Sequence, residues 1–496
     1  MKNALKKGLA VLLALIVTLV PLFSVCASDS KSCPMIDVHG FMAKDIYADP
    51  ADPDSEKIWP PTTDAILNAV RQSVPALTKF FLSKNWDALG KALVPIFDGL
   101  LGKACCGAEG TVTNSSGIRF SYPDKADVKP DGTYSFDYDW RLDPMEIAGQ
   151  LDAFVRYITE NAGVEKVRIR CHSLGGVIVL SYLTLYGNDK VDGVAFNSTA
   201  LYGETYNGEL MTGKMRLDAD ALSEFMRGNF SDTACPVLLA GIFDILNDSG
   251  VLKLACKCGN YAMDQLLDVA AQEILIPMFG NWLPIWAMVP DEYIADAEKY
   301  VFDTVWAGQD HSAIRAKVTA YNETVRKNRE KTLRDLNENA KLVVLSRYGF
   351  STIPIVPSWN VLSDGNIDTK NTSFGALTAG YGKMLSAEQL VGKDAKYISP
   401  EKNIDASCCL FPEQTWFIEN CKHGYTPGAV DDMIDTLLAY DGQATVDTFP
   451  EYPRFVRYNP DTGTVTPHTE AAPARTFLQK LITALRELWN LILRNR

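Results

Sequence analysis

Short apolar runs and helical apolar stripes alternate along two stretches of the chain. Met35-Ile36-Asp37-Val38 is a compact run that stops at His39-Gly40, the pattern of a buried strand. From about Thr62 to Leu101 apolar residues recur at helical spacing, and a loop rich in Cys, Gly, Ser and Asn runs on to Gly117. Tyr134 to Trp140 alternates aromatic and polar positions and predicts a strand. Pro144 opens a helix whose Ile147, Leu151, Phe154, Val155 and Ile158 share one face, with Gly163 as its stop. Val167 to Cys171 predicts the next strand, Gly175 to Tyr186 the next helix, and Gly193 to Asn197 a further strand.

That strand–helix–strand rhythm implies an α/β fold: a doubly wound, mostly parallel sheet covered by helices. Residues 33–200 form its first part, with a helical insertion at about 59–117. Residues 201–335 break the rhythm with helical segments marked by Trp and Pro, such as Pro277 to Pro290, and then a charged helix from about Ser312 to Asn337. An inserted helical lid or cap is expected there, with Trp282 and Trp286 in its own core. The sheet resumes at Leu342 to Ser346 and again near Thr415 to Phe417, so 336–458 is its second part. Residues 459–474 read as a Pro/Thr/Gly/Ala linker, and 475–496 as an amphipathic basic tail helix.

A formal charge of -13 over 496 residues excludes nucleic acid as a partner, because phosphates require a positive footprint. The N-terminus carries Lys2, Lys6 and Lys7, an apolar stretch from Gly8 to Val25, and small residues at Val25-Cys26-Ala27. Residues 1–27 therefore read as a signal peptide, which makes the protein secreted or associated with the cell envelope; retention as an anchor is the rival reading. Eleven cysteines fit an oxidising destination, and Cys105-Cys106, Cys256, Cys258 and Cys408-Cys409 stand in loop-like surroundings that disulfides could staple. With no CxxC pair and no clustered histidines, neither a metal nor another cofactor is expected. In the tail, Phe477, Leu481, Leu485, Leu488 and Ile492 line one face, and Lys480, Arg486 and Arg494 lie on the other. Contact with an anionic membrane surface and packing on a protein surface suit that pattern equally.

The chemistry centres on Cys171-His172-Ser173-Leu174-Gly175-Gly176, between a predicted strand and a predicted helix. A serine on a sharp strand-to-helix turn projects its hydroxyl above the sheet edge, and the Leu174 N–H then faces a developing oxyanion. Cys171 stands where such turns carry glycine, and its small side chain still lets the turn close. His39-Gly40-Phe41 follows the first strand, where the Phe41 N–H is expected as the second oxyanion donor. A serine needs a base, and the base an orienting carboxylate, in the chain order serine, acid, histidine. His311 opens a polar helix and His468 lies in the linker, whereas His423 follows the strand near Thr415 to Phe417 and is the expected base. For the acid, Asp364 in Ser363-Asp364-Gly365 is preferred on turn chemistry; Asp244, ending a strand-like run from Pro236, is the competitor, and Asp368 a lesser one.

Tyr138-Asp139-Trp140-Arg141-Leu142-Asp143-Pro144, one helix, and then His172-Ser173-Leu174-Gly175 resemble the lecithin:cholesterol acyltransferase-like branch of the α/β-hydrolase lipases and esterases. Tyr348-Gly349 followed by Ser363-Asp364-Gly365 is similar to that family's acid segment, and His423 to its late histidine. The resemblance covers roughly residues 33–200 and 340–440. It implies a Ser173–Asp364–His423 triad acting on lipid or other acyl esters. Acyl transfer to an alcohol, amide cleavage, and a non-catalytic envelope-binding role on the same scaffold are the alternatives.

Overall fold

The structure of the protein is a computed structural model that describes residues 33–229 and 243–470. The expected signal peptide at 1–27 and tail helix at 475–496 lie outside the described residues.

Eight strands form one sheet: β1 (Met35–Val38), β2 (Thr133–Phe136), β3 (Val167–Ser173), β4 (Val191–Thr199), β5 (Lys341–Tyr348), β6 (Thr415–Glu419), β7 (Phe455–Asn459) and β8 (Thr464–Pro467). Their spatial order is β2-β1-β3-β4-β5-β6-β7-β8. Every pairing is parallel except the last, β7 with β8. The central strands β4 and β5 are buried along nearly their whole length, as a sheet covered on both faces requires. Alternation along β5 sorts the faces. Leu342 and Val344 belong to a core shared with the helices α3 (Pro144–Ala162) and α4 (Leu174–Tyr186). Val343 and Leu345 belong to a second core with Val430, Met433, Ile434 and Leu437 of a late helix, Gly428–Ala439.

The insertion after β1 carries two further helices, α1 (Thr63–Ser83) and α2 (Trp86–Leu101). Between β4 and β5 the described chain is helical, including α5 (Thr205–Met211), Val251–Ala270, Ser312–Tyr321 and Arg329–Asn339. The helix expected over Ser312 to Asn337 is divided by a wider turn at Asn322–Arg326. Trp282 and Trp286 are buried.

Arg168 and Arg170, unusual in a central strand, point away from the buried face of β3, where acids meet them. Arg168 pairs with Asp192 at 2.8 Å, and Arg170 with Asp37 at 2.7 Å and Asp431 at 3.1 Å. Such pairing offsets the cost of removing the guanidinium groups from bulk water.

Three expectations are corrected. The linker at 459–474 begins as structure: a tight reversal, with the Gly463 N–H bonded to the Asn459 carbonyl at 2.8 Å, returns the chain as strand β8. His468, which the sequence placed in that linker, is consequently buried and bonded to Glu401 at 2.5 Å. The strand expected to run to Trp140 ends at Phe136, because Tyr138 and Trp140 turn inward to bind loop carbonyls. Finally, the described cysteines, Cys105, Cys106, Cys256, Cys258, Cys408 and Cys409 among them, are free thiols and staple nothing.

Candidate active site

Ser173 ends β3 and immediately precedes α4, at φ 56° and ψ -127°. A non-glycine residue held there carries about 1–3 kcal/mol of strain, which persists only where the surroundings over-determine it. Those surroundings are visible. A Cβ on Gly175 would lie 2.2 Å from the Val38 carbonyl, and one on Gly40 would lie 2.7 Å from the Ser173 Cβ. Gly40 and Gly175 thus let the loop after β1 and the start of α4 close against the serine. Cys171, at the position where a glycine was expected, is buried with its Sγ toward the Ala195 carbonyl at 3.4 Å, and burial pushes its thiol pKa well up. It packs as a small apolar residue.

The Tyr138-to-Asp143 segment fixes the loop after β1. The Tyr138 hydroxyl donates to the His39 carbonyl at 2.5 Å, and the Trp140 indole N–H to the Lys44 carbonyl at 2.9 Å. Phe41 packs edge-on against Trp140 and Trp282 at centroid distances of 4.8 and 5.8 Å. This anchoring was not foreseen beyond the family resemblance, although an aromatic run directly after a strand was a usable signal.

His423 lies in the loop after β6. Its Nδ1 stands 2.8 Å from the Asp364 Oδ2, and its backbone N–H donates to the Asp364 carbonyl at 2.9 Å. Asp364 is fully buried, and its Oδ1 accepts from the N–H groups of Asn366 at 3.0 Å and Ile367 at 2.8 Å. One carboxylate oxygen therefore holds the turn and the other holds the imidazole at its Nδ1. The competitor Asp244 stands in a helical segment, 243–248, where the Ser223 hydroxyl bonds its carboxylate. Most of the strand-like run before it lies outside the described residues. Asp368 accepts from the Thr205 N–H at 2.8 Å, which ties it to the start of α5 rather than to an imidazole. His311 stacks on Trp306 at 3.7 Å.

Arg347, at the end of β5, holds the histidine loop from beneath. Its guanidinium donates to the Lys422 and Tyr425 carbonyls at 2.9 Å each, to the Thr426 hydroxyl at 2.7 Å and to the Asn197 side chain at 3.0 Å. Sequence reasoning missed it, although an arginine near the end of a largely apolar, buried strand demands partners. His172 stacks against His423 with ring centroids 4.5 Å apart. Burial, and then the neighbouring His423, lower the His172 pKa well below the usual histidine range, so it stays neutral.

Ser173 and His423 line one cavity of about 440 Å³. Phe41, Met211, Met215, Leu275, Ile276, Phe279, Ile285 and Met288 supply most of its apolar wall, many from the helical region between β4 and β5. Glu204, Tyr206 and Asn366 are among its polar members. Burial raises the Glu204 carboxyl to about 7 and that of Asp368 to about 6. Among the described residues no group of three or more His, Cys, Asp or Glu side chains is arranged to hold a metal ion, and no helix is long and apolar enough to cross a membrane.

No protein-family model and no curated protein matches the chain. Among solved structures, the Tle4–Tli4 complex is similar over 36% of this chain and 48% of that one, at 12% identity and a TM-score of 0.20, so the chain spans about half its length. An esterase, RhEst1 from Rhodococcus sp. ECU1013, is similar over 84% of this chain and 93% of its own, at 13% identity and a TM-score of 0.23. Likenesses this loose carry no weight for the chemistry.

Proposed function

We propose that the protein is a serine hydrolase of the α/β-hydrolase fold that cleaves carboxylic esters through a Ser173–His423–Asp364 triad. One observation carries the reading: the His423 imidazole is held by a buried carboxylate at 2.8 Å and shares an apolar cavity with a strained serine. A strained backbone, an imidazole and an orienting acid at the carboxyl ends of β3, β6 and β5 have a common explanation in nucleophilic catalysis. The chain order, serine then acid then histidine, is the order of that fold.

In this mechanism the His423 Nε2 takes the Ser173 proton as Oγ bonds to the ester carbon. The carbonyl π electrons move onto oxygen, where the N–H groups of Phe41 and Leu174 stabilise the charge. Collapse breaks the bond to the alkoxide, which leaves with the proton from His423. Water, deprotonated by the same imidazole, then releases the acid and restores the serine. Residues 201–335 act as a lid whose underside forms the acyl-binding wall, and the apolar lining favours lipid-like acyl groups.

The test is hydrolysis of p-nitrophenyl octanoate by the wild type, Ser173→Ala, Asp364→Asn and Asp244→Asn. Ser173→Ala loses turnover, and Asp364→Asn falls by about a thousandfold or more because the imidazole adopts the wrong tautomer. Asp244→Asn stays within a few-fold of wild type. Full turnover by Ser173→Ala refutes the nucleophile, and full turnover by Asp364→Asn refutes the acid.

A further inference from the structure

Glu204 is the one carboxylate among the described cavity-lining residues. It is 2% exposed, in a wall otherwise dominated by Met, Leu, Ile and Phe. Its backbone is fixed directly before α5: the N–H donates to the Met288 carbonyl at 2.9 Å, and its own carbonyl accepts from Asn207 at 3.0 Å and Gly208 at 3.1 Å. Tyr206 and Asn366 line the same cavity. The Asn366 N–H reaches the Asp364 carboxylate at 3.0 Å. Glu204, Tyr206 and Asn366 thus form a polar strip in the wall of the cavity that also holds His423.

A carboxyl buried in apolar surroundings costs several kcal/mol unless its hydrogen-bonding capacity is used. The Glu204 carboxyl has lone pairs to offer a ligand in the cavity. Binding cavities are mostly apolar walls with a few placed polar groups that fix orientation and select the ligand, and Glu204 occupies such a place. An ammonium ion would have to shed its water against methionine and leucine side chains, at far greater cost than a hydroxyl. The hydroxyl bonds either form of the acid, accepting from the neutral carboxyl or donating to the carboxylate.

We propose that Glu204 is a specificity-determining residue that hydrogen-bonds a hydroxyl group near the scissile carbonyl. The preferred substrates are then apolar esters that carry such a hydroxyl, on either the acyl or the alcohol side, rather than plain alkyl esters. This rests on the ester-hydrolase reading of the same cavity.

Two matched pairs test it: methyl 3-hydroxyoctanoate against methyl octanoate, and 1-monooctanoylglycerol against propyl octanoate. Wild type prefers the hydroxylated member of at least one pair by roughly a hundredfold or more in kcat/KM, as sites built to bond a substrate hydroxyl do. The pair that responds shows which side of the ester carries the group. Glu204→Leu brings that ratio to within about threefold of unity, and Glu204→Gln, which keeps an acceptor, retains most of it. An unchanged ratio in Glu204→Leu, or no preference for either hydroxylated member in wild type, overturns the proposal. A second readout needs no turnover: octane-1,2-diol raises the melting temperature of Ser173→Ala more than octan-1-ol does, and adding Glu204→Leu removes the difference. Equal shifts with both alcohols in Ser173→Ala count against Glu204. Diol discrimination in a protein that hydrolyses no ester would instead sink the catalytic reading and spare the binding site.

Discussion

Glu204 illustrates how a buried acid is held at a thermodynamic cost. In the unfolded chain its carboxyl titrates near 4.5; in the folded protein burial moves it to about 7. Below pH 4.5 both states are protonated and the group is neutral to stability. Between 4.5 and 7 the unfolded chain releases its proton first, so stability falls as pH rises, and above 7 the loss is complete. Its titratable neighbours Tyr206, His423, Asp364 and Asp368 are common to wild type and variant, so they cancel to first order in a comparison. Glu204→Gln, which does not titrate, should therefore gain on wild type across that window, by on the order of 3 kcal/mol at pH 8 relative to pH 4.5. Urea denaturation at the two pH values measures this, and a gap that is constant or narrows with pH contradicts it. Ser173, Asp364 and His423 were legible in the sequence because each sits in a local pattern, an elbow, an Asp-Gly turn or a loop after a strand. Glu204, Tyr206 and Arg347 were not, because their significance comes from segments that meet only when the chain folds.

Strands and turns do most of the positioning at the next scale. β3 ends in the serine, β5 carries Arg347 near its end and leads to the turn that bears Asp364, and β6 leads to the histidine loop, so three of four consecutive strands deliver the site to one edge. The histidine loop has no regular structure of its own and depends on the Arg347 guanidinium for its carbonyls. Replacing Arg347 with Met keeps much of the volume and removes every donor. The expected result is a loss of about 3 kcal/mol of stability and a fall in kcat of at least tenfold with KM little changed, since the imidazole is displaced while the cavity wall is kept. Normal kcat in a stably folded Arg347→Met protein would show that the loop holds itself. The buried strands were readable from apolar runs alone. The β7–β8 hairpin was missed because an edge strand with exposed threonines and a terminal proline lacks alternation, although Asn459-Pro460-Asp461-Thr462-Gly463 was a turn signal in plain view.

For the whole molecule, the parallel sheet acts as a rigid frame and the helical region between β4 and β5 supplies the far wall of the cavity. In the proposed function, a division of labour assigns the chemistry to the frame and selectivity largely to the insertion. It also explains why the composition of residues 201–335 gave a helical region but no substrate: helical periodicity records what packs inside a segment and not the cavity it closes. The central claim concerns a single oxygen atom in this assembly. Incubation with a fluorophosphonate, followed by proteolysis and mass spectrometry, tests it most directly. One phosphonate per chain, on the peptide bearing Ser173, lost in Ser173→Ala and slowed in Asp364→Asn, is the predicted result. Labelling that persists in Ser173→Ala, or a native wild-type protein that takes up no phosphonate, would contradict the account.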